Sequence, residues 1–289
     1  MTTWALVDGG GSKTRVRIVD AAHGNTVFEQ ISGPGNLTLG ADQVWNSIQQ
    51  GLAAAPTQPP TRLFAGLAGV ESAGARAAFL AKTQLPTTLV SDRDSGLLGA
   101  LAGAPGACLT VGTGVALSWL TGDGSVYRRG GLGFVLGDAG GGAWIGRRML
   151  QILAHQADRG IESDGVQAVI DAFGIGPGLA DWVSFGQQAT PAEFAALAPH
   201  VFLLADSGSA LAQQIVAEGT AALLETLEGL PAELPIALVG GLTPCYQDRL
   251  RAQGLPIVSA KGDALDGLWL EASGLVRLAI ERWSTDGSN

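Results

Sequence analysis

The sequence contains the same local pattern twice: a strand, a turn of small residues and a returning strand. Residues 4–7 form an apolar run and residues 14–19 alternate polar and apolar side chains, with Asp8-Gly9-Gly10-Gly11-Ser12-Lys13 between them. Residues 108–111 and 115–120 repeat the arrangement around Gly112-Thr113-Gly114. Apolar runs and period-two alternation are typical of strands, and glycine permits a tight turn. Each half therefore predicts a β-hairpin, and we interpret the repetition as an internal duplication.

The rest of the chain alternates predicted strands with predicted helices. Apolar runs bounded by turn residues predict strands over 63–67, 87–90 and 235–239. Helical periodicity predicts helices that include 41–54, 71–83, 191–205 and 264–283. The chain has 289 residues, of which 46% are hydrophobic, so it can bury more than one small core. These features predict an α/β protein.

Charge and composition exclude several classes of protein. The formal net charge is −9 and no stripe of Lys or Arg reverses it locally, so neither nucleic acid nor an anionic membrane is an expected partner. The N-terminal residues do not resemble a signal peptide and no run of about 18 apolar residues occurs, so we expect a cytoplasmic protein without a membrane span. Cys108 and Cys245 stand far apart, which fits neither a disulfide framework nor a zinc site.

The first glycine turn has the composition of a phosphate-binding loop but matches neither of the two common ones. No glycine directly precedes Lys13, as a Walker A loop requires, and the third glycine of a dinucleotide fingerprint is missing. A strand follows, where both of those loops lead into a helix. Backbone N–H groups with Ser12, Lys13 and Thr14 suit phosphate oxygens, and Asp8 at the strand end suits a metal. The same residues also fit an ordinary hairpin with a solvated lysine.

The second glycine turn, Gly112–Gly114, has the matching position in the second half of the chain. A GTG sequence alone is a weak signal. Two glycine hairpins that face each other can clamp a polyphosphate from both sides, and the repetition favours this function over a simple turn.

Two acidic residues follow the predicted strand 87–90, within Ser91-Asp92-Arg93-Asp94. Ligands bind at the carboxyl ends of strands in open α/β sheets, so one carboxylate is suited to accept the proton of an attacking hydroxyl. The other then caps the next helix, a common function of Asp. Asp92 is the better candidate for the base because it directly follows the strand, and Asp94 is the alternative. Both residues also fit simple caps or surface positions.

Two further glycine-rich segments carry candidate ligand contacts. Residues 130–142 surround one carboxylate, Asp138, and alternate glycine with large apolar residues, unlike a flexible linker. Asp138 can accept hydrogen bonds from two sugar hydroxyls, although a glycine-rich turn before a helix also fits. Gly240-Gly241 follows the predicted strand 235–239 and allows close approach of a flat ring.

In this order, the five segments resemble the N-acetylglucosamine kinase and BadF-type ATPase family of the actin, hexokinase and sugar-kinase superfamily. Asp8–Thr14 resembles its first phosphate loop, Gly112–Gly114 the second, and Leu238–Leu242 its adenosine motif. Ser91-Asp92 is similar to the pair that holds the catalytic aspartate. Gly130–Gly142 resembles the family segment GGWG…GDEGSG, with three departures: Leu132 for tryptophan, Ala139 for glutamate and Gly141 for serine.

The resemblance implies a function and a set of site residues. It implies ATP-dependent phosphorylation of the 6-hydroxyl of an amino sugar, N-acetylglucosamine or glucosamine, with Asp92 as the base and Mg²⁺ held by Asp8 through water. N-acetylmuramic acid and other hexoses stay open. The nucleotide is expected to contact Asp8, Gly10, Gly11, Ser12, Lys13, Thr14, Gly112, Thr113, Gly114, Gly240 and Gly241. The sugar is expected to contact Asn36, Gly131, Gly133 and Asp138.

The resemblance also implies the fold, which is the two-lobed, actin-like ATPase fold, ribonuclease H-like, with a duplicated domain. We expect an N-terminal lobe over 1–106, a C-terminal lobe over 107–263, and a C-terminal helix over about 264–283 that returns to the first lobe. A homodimer is the expected assembly. Two alternatives to a kinase stay open, namely a BadF-type ATPase activator and a non-catalytic nucleotide-binding module.

Overall fold

The chain divides into two compact units. The structure is a computed structural model, and it describes residues 2–11, 13–56, 58–163, 165–276 and 280–285. One unit comprises Met1–Cys108, Ser118–Tyr127 and Ser259–Asn289, and the other comprises Leu109–Leu117 and Arg128–Val258. We call them unit 1 and unit 2.

The first sheet belongs to unit 1. Its strands are β1 (Thr3–Gly9), β2 (Thr14–Asp20), β3 (Thr26–Ser32), β4 (Arg62–Leu67), β5 (Thr87–Ser91) and β11 (Trp283–Ser284), in the order β11-β5-β4-β1-β2-β3. The predicted first hairpin is present, because β1 and β2 pair antiparallel with Gly9 opposite Thr14. β1, β4 and β5 run parallel to one another.

The second sheet contains the second predicted hairpin. Its strands are β6 (Gly106–Val111), β7 (Val115–Leu120), β8 (Val126–Gly130), β9 (Ile236–Val239) and β10 (Ile257–Val258), in the order β10-β9-β6-β7-β8. β9 and β10 are parallel.

Helices cover most of the remaining chain. They are α1 (Ala41–Ala53), α2 (Ala73–Leu80), α3 (Asp92–Leu101), α4 (Gly133–Leu136), α5 (Gly142–Asp158), α6 (Val166–Phe173), α7 (Leu179–Gln188), α8 (Pro191–Ala195), α9 (Ala198–Asp206), α10 (Ala210–Leu227), α11 (Thr243–Arg251) and α12 (Ala264–Ala272).

Two predicted helices differ most from what the periodicity indicated, because one is split and the other ends early. The expected helix 191–205 is split into α8 and α9. Pro199 lies in the first turn of α9, has no N–H to donate to the carbonyl of Ala195 four residues earlier, and crowds that carbonyl with its ring, so α8 ends at Ala195. Of the expected helix 264–283, residues 264–272 form α12, residues 273–276 and 280–283 are not helical, and residues 277–279 lie outside the described residues. Gly274 has φ +70°, a left-handed conformation that commonly ends helices, and Trp283–Ser284 form β11.

Both faces of the first sheet are buried along its central strands β1 and β4, whose side chains alternate between the two faces. Ala5 and Val7 pack with Val44 and Ile48 of α1 on one face. Leu6 and Phe64 pack on the other face with side chains of α3 and α12, namely Leu98, Leu265 and Leu268. α3 and α12 approach very closely, since a Cβ built at Gly267 would lie 1.9 Å from the Ser95 carbonyl oxygen.

Among the described residues, no single helix is long and apolar enough to cross a membrane. Pro191–Asp206 and Ala210–Leu227 meet the length and composition criteria only as a pair, with a 115° bend between them.

Candidate active site

The carboxyl ends of three parallel strands meet at one edge of the sheet in unit 1. Gly9 of β1 pairs with Leu67 of β4, and Leu67 pairs with Ser91 of β5. Asp8 is the penultimate residue of β1, and Asp92 begins α3 directly after β5. The strand register therefore brings the predicted metal ligand and the predicted base to the same edge, where ligands bind in sheets of this kind.

Asn36 lies next to the first glycine turn. The Gly35 N–H donates to the Gly10 carbonyl at 2.9 Å, and a Cβ at Gly35 would lie 2.6 Å from Gly9 Cα, so glycine at these positions allows the two backbones to touch. Asn36 Oδ1 accepts hydrogen bonds from the N–H and the hydroxyl of Thr38 at 2.9 and 2.8 Å. Asn36 Nδ2 makes no hydrogen bond to another described residue, so this donor is available to a ligand.

The loop of the first hairpin has open space around it. Gly11 and Lys13 are exposed, and a Cβ at Gly11 would meet no atom within 4 Å. No described neighbour requires glycine there, which leaves room for a ligand. Thr14 is fully buried, and its hydroxyl has no partner among the described residues, so its predicted nucleotide contact stays a prediction. Ser12 lies outside the described residues.

Neighbouring positive groups do not fully neutralise the negative charges of Asp8 and Asp92. Burial, followed by the charge of Asp92, raises the pKa of Asp8 to about 6, against the opposing effect of Arg15. Burial and the Glu71 carboxylate raise the pKa of Asp92, and Arg93 opposes them. Raised carboxyl pKa values indicate excess negative charge in a poorly solvated place. Such a place suits a cation, and it makes Asp92 a stronger base than a solvated aspartate.

The geometry favours Asp92 over Asp94 as the base. Asp94 is completely buried, whereas Asp92 is partly exposed, so only Asp92 can reach a ligand at the sheet edge. The Asp92 Oδ1 atom accepts a hydrogen bond from the Arg93 N–H at 3.0 Å.

Sequence reasoning missed Glu71, which lies on the turn between β4 and α2. The Ser91 hydroxyl donates to Glu71 Oε1 at 3.0 Å and lies 3.5 Å from Asp92 Oδ1. No local motif marks Glu71, because its contact with Ser91 exists only when β4 and β5 pair.

In unit 2, three predicted segments meet at the second glycine turn. The N–H groups of Gly142 and Ala143, at the start of α5, donate to the carbonyls of Gly112 and Thr113 at 2.8 and 3.0 Å. The Leu242 N–H donates to the Val111 carbonyl at 3.0 Å. Gly240 has φ +102°, and a Cβ there would lie 2.5 Å from the Val111 oxygen. The second glycine turn, the end of segment 130–142 and the Gly240-Gly241 segment therefore form one cluster.

Asp138 supports this turn, a function that the sequence did not reveal. It has φ +60°, unusual for a residue other than glycine, and its Oδ1 accepts a hydrogen bond from the Val115 N–H at 3.0 Å. A Cβ at Gly114 would lie 2.4 Å from Asp138 Oδ2, so glycine is needed beside the carboxylate. Gly131 and Gly133 are exposed, with φ of +66° and +78°, and their sugar contacts stay predictions together with that of Asp138.

Each unit, taken by itself, offers groups whose chemistry suits part of a magnesium nucleotide. The described residues include no group of three or more His, Cys, Asp or Glu side chains suited to hold a metal ion. Mg²⁺ commonly uses one or two carboxylates and completes its coordination with water and phosphate oxygens, which matches the Asp8 and Asp92 edge. The N–H groups of Thr113 and Gly114 donate to no other described residue and suit phosphate oxygens.

Comparison with known proteins gives consistent results. Glucosamine kinase GspK of Vibrio cholerae serotype O1 is 29% identical to this chain over 282 residues, which cover 92% of this chain and 94% of that protein. The structure of a candidate N-acetylglucosamine kinase from Chromobacterium violaceum has a TM-score of 0.85 at 29% identity, covering 94% of this chain and 99% of that one. A ROK family glucokinase from Streptomyces griseus, solved with glucose and AMPPNP, has a TM-score of 0.59 at 16% identity, covering 95% and 99%.

These similarities confirm the predicted actin-like α/β fold with two sheets. A family model described as the BadF/BadG/BcrA/BcrD ATPase family matches residues 7–247, most of the sequence. The chain belongs to the BadF/BadG/BcrA/BcrD ATPase family.

Proposed function

We propose that this protein is an ATP-dependent kinase that phosphorylates the 6-hydroxyl of an amino sugar, glucosamine or N-acetylglucosamine. The similarity to a glucosamine kinase and to a candidate N-acetylglucosamine kinase, each over more than nine-tenths of the chain, supports an amino-sugar kinase. The expected ATP-dependent amino-sugar kinase activity agrees with both comparisons. The 6-hydroxyl as acceptor, the choice between the two sugars and the predicted homodimer belong to the proposal alone.

One observation carries the proposal most directly. Asp8 and Asp92 lie at the carboxyl edge of the same parallel strands, both with raised pKa values, beside a hairpin loop whose glycines leave open space. A phosphoryl transferase needs this combination, because it must neutralise phosphate charge through a metal and also orient an acceptor hydroxyl.

The nucleotide contacts follow from the chemistry of each group. When bound, Mg²⁺ neutralises charge on the phosphate oxygens, and Asp8 is suited to hold it through water. Lys13 supplies an exposed ammonium for phosphate oxygens, and the Thr113 and Gly114 N–H groups supply neutral donors. Gly240 and Gly241 have no side chains to cover the exposed backbone after β9, which allows the flat base of the nucleotide to approach closely.

Asp92 orients the acceptor hydroxyl and takes its proton as the phosphoryl group transfers. Its raised pKa makes it a better proton acceptor than a solvated aspartate, which suits a general base. Asn36 Nδ2 and Asp138 Oδ2 supply a donor and an acceptor for sugar hydroxyls.

The decisive experiment is a sugar panel with ATP and Mg²⁺, read by ADP formation. Glucosamine, N-acetylglucosamine, N-acetylmuramic acid and glucose are compared at equal concentrations. We expect an amino sugar to have the highest kcat/KM. ADP formation that stays at background for every sugar would contradict the proposal and favour a non-catalytic nucleotide-binding module.

The base is tested with Asp92→Asn. We expect kcat to fall by about 10²–10⁴-fold, the usual contribution of general base catalysis, while the sugar KM stays near that of the wild type. Asp42→Asn is the matched control, since it removes a carboxylate from an exposed position on α1 and should leave kcat unchanged. Normal turnover in Asp92→Asn would remove that residue from the mechanism.

A further inference from the structure

Tyr246 is a buried polar residue that the nucleotide and sugar contacts proposed above do not use. It lies on α11, in the turn of helix that follows Gly240-Gly241, and its side chain is completely buried. Its hydroxyl donates a hydrogen bond to the Gly140 carbonyl at 2.8 Å. Burial raises the pKa of Tyr246, so the phenol keeps its proton and can act as this donor. The bond joins the helix after the adenosine motif to the segment that contains Asp138.

Two glycines make room for this hydroxyl. A Cβ at Gly219 of α10 would lie 2.6 Å from the Tyr246 oxygen. Gly140 has φ +85°, and a Cβ there would lie 2.7 Å from the Gly219 carbonyl oxygen. The hydroxyl therefore has one defined place, between two backbones that only glycine allows so close together.

The Gly140 carbonyl belongs to the turn that sets the conformation of Asp138. Asp138 holds a left-handed φ of +60°, which is unfavourable for a residue with a Cβ and needs support from its surroundings. Its Oδ1 accepts the Val115 N–H, and its carbonyl accepts the Gly141 N–H at 2.9 Å. Tyr246 adds a further restraint on this turn, because it holds the carbonyl of Gly140, two residues after Asp138. Together these bonds leave Asp138 Oδ2 without a partner among the described residues and therefore available to a ligand.

We propose that Tyr246 is a positioning residue, which holds the Asp138 turn through the Gly140 carbonyl and thereby sets sugar affinity. This inference rests on the proposed function of Asp138 as a sugar ligand. Without the hydroxyl, a buried carbonyl loses its hydrogen bond and the turn can relax away from its strained conformation. Asp138 then meets the sugar in a less suitable geometry. If the contact is equally strong in the ground state and the transition state, KM rises while kcat changes little.

The test is Tyr246→Phe in the full-length protein, which removes one oxygen atom and keeps the ring. We expect the KM for the amino sugar to rise about tenfold, which corresponds to the net value of about one hydrogen bond. The KM for ATP and kcat should stay within about twofold of the wild type.

Phe202→Leu is the matched structural control. The Phe202 ring meets the Tyr246 ring edge-on, with centroids 5.1 Å apart, so this substitution loosens the packing but keeps the hydroxyl. It should lower the melting temperature and leave the sugar KM unchanged. If both variants raise the sugar KM equally, or if Tyr246→Phe leaves it unchanged, the positioning role is refuted.

Hydrogen–deuterium exchange separates this inference from the proposed function. The peptide that contains residues 138–142 should exchange faster in Tyr246→Phe than in Phe202→Leu, whether or not a sugar is phosphorylated. Unchanged exchange would refute the restraint itself, whereas a wild type that phosphorylates no sugar would refute the kinase proposal and the sugar-affinity role built on it. If Tyr246→Phe does not fold, Gly219→Ala displaces the same hydroxyl, because the added Cβ would lie 2.6 Å from the Tyr246 oxygen.

Discussion

The crossing of α3 and α12 makes a severe demand on a single residue, Gly267. A Cβ there would lie 1.9 Å from the Ser95 oxygen and 2.7 Å from the Gly99 nitrogen, whereas ordinary Cβ contacts begin at 3.4 Å. Gly267→Ala therefore forces the two helices apart by about 1.5 Å at the crossing, the difference between the first and last of these distances. Backbone atoms of a helix cannot yield as a flexible side chain can.

The energetic cost follows from what this separation exposes. Leu98 of α3 and Leu265 and Leu268 of α12 pack together beneath the crossing, each at most 1% exposed. Exposing roughly 100–150 Å² of apolar surface costs about 3–4 kcal/mol. The higher helix propensity of alanine offsets about 1 kcal/mol of this destabilisation. We expect Gly267→Ala to lower the free energy of unfolding by about 2–3 kcal/mol.

Gly96→Ala is the control, because it makes the same chemical change within α3. A Cβ at Gly96 meets nothing within 4 Å, so alanine should stabilise the helix by about 0.5–1 kcal/mol. Urea unfolding of the full chain, followed by tryptophan fluorescence, measures both variants, and Trp4 and Trp269 of unit 1 lie beside the crossing with ring centroids 5.9 Å apart. The reasoning is refuted if Gly267→Ala unfolds at the same urea concentration as the wild type, or higher.

Two further predictions concern the carboxylates of the candidate site. Because the pKa of Asp8 is raised to about 6, folded protein binds its proton more tightly than unfolded protein, so stability falls as pH rises from about 4 through 6. Asp8→Asn should therefore raise the free energy of unfolding at pH 8 by up to about 3 kcal/mol and have almost no effect at pH 4, and an equal effect at both pH values would contradict this. Glu71→Gln removes a charge that raises the pKa of Asp92, so the acidic limb of the kcat/KM profile should move to lower pH. An unmoved limb would show that Glu71 does not act on the base.

Local sequence carried much of the fold and the candidate site. Alternating and apolar runs located β1, β2, β4 and β5, because strand faces repeat every two residues and leave a direct pattern. The strand–glycine–strand pattern located both hairpins, with Asp8 near the end of β1 and Gly112–Gly114 in the second turn. Those features depend only on neighbours along the chain, so they could be predicted without contacts.

Contacts between distant residues decided the rest. Glu71 contacts Ser91 because β4 pairs with β5. Asp94 is buried, although the sequence alone is equally compatible with a surface position for this acidic residue. Tyr246 reaches Gly140 across 106 residues, and no periodicity records that bond. The last helix ends at Ala272 although the apolar spacing continues toward Trp283.

The amino-acid order thus determined where strands, turns and glycine loops lie, since backbone conformation responds first to local sterics and local hydrophobic pattern. Only the tertiary structure decided which carboxylate is exposed, which is buried and which backbone groups hold the site. Burial and hydrogen bonding depend on residues brought together by packing, and side-chain pKa values change with that packing rather than with the residue type.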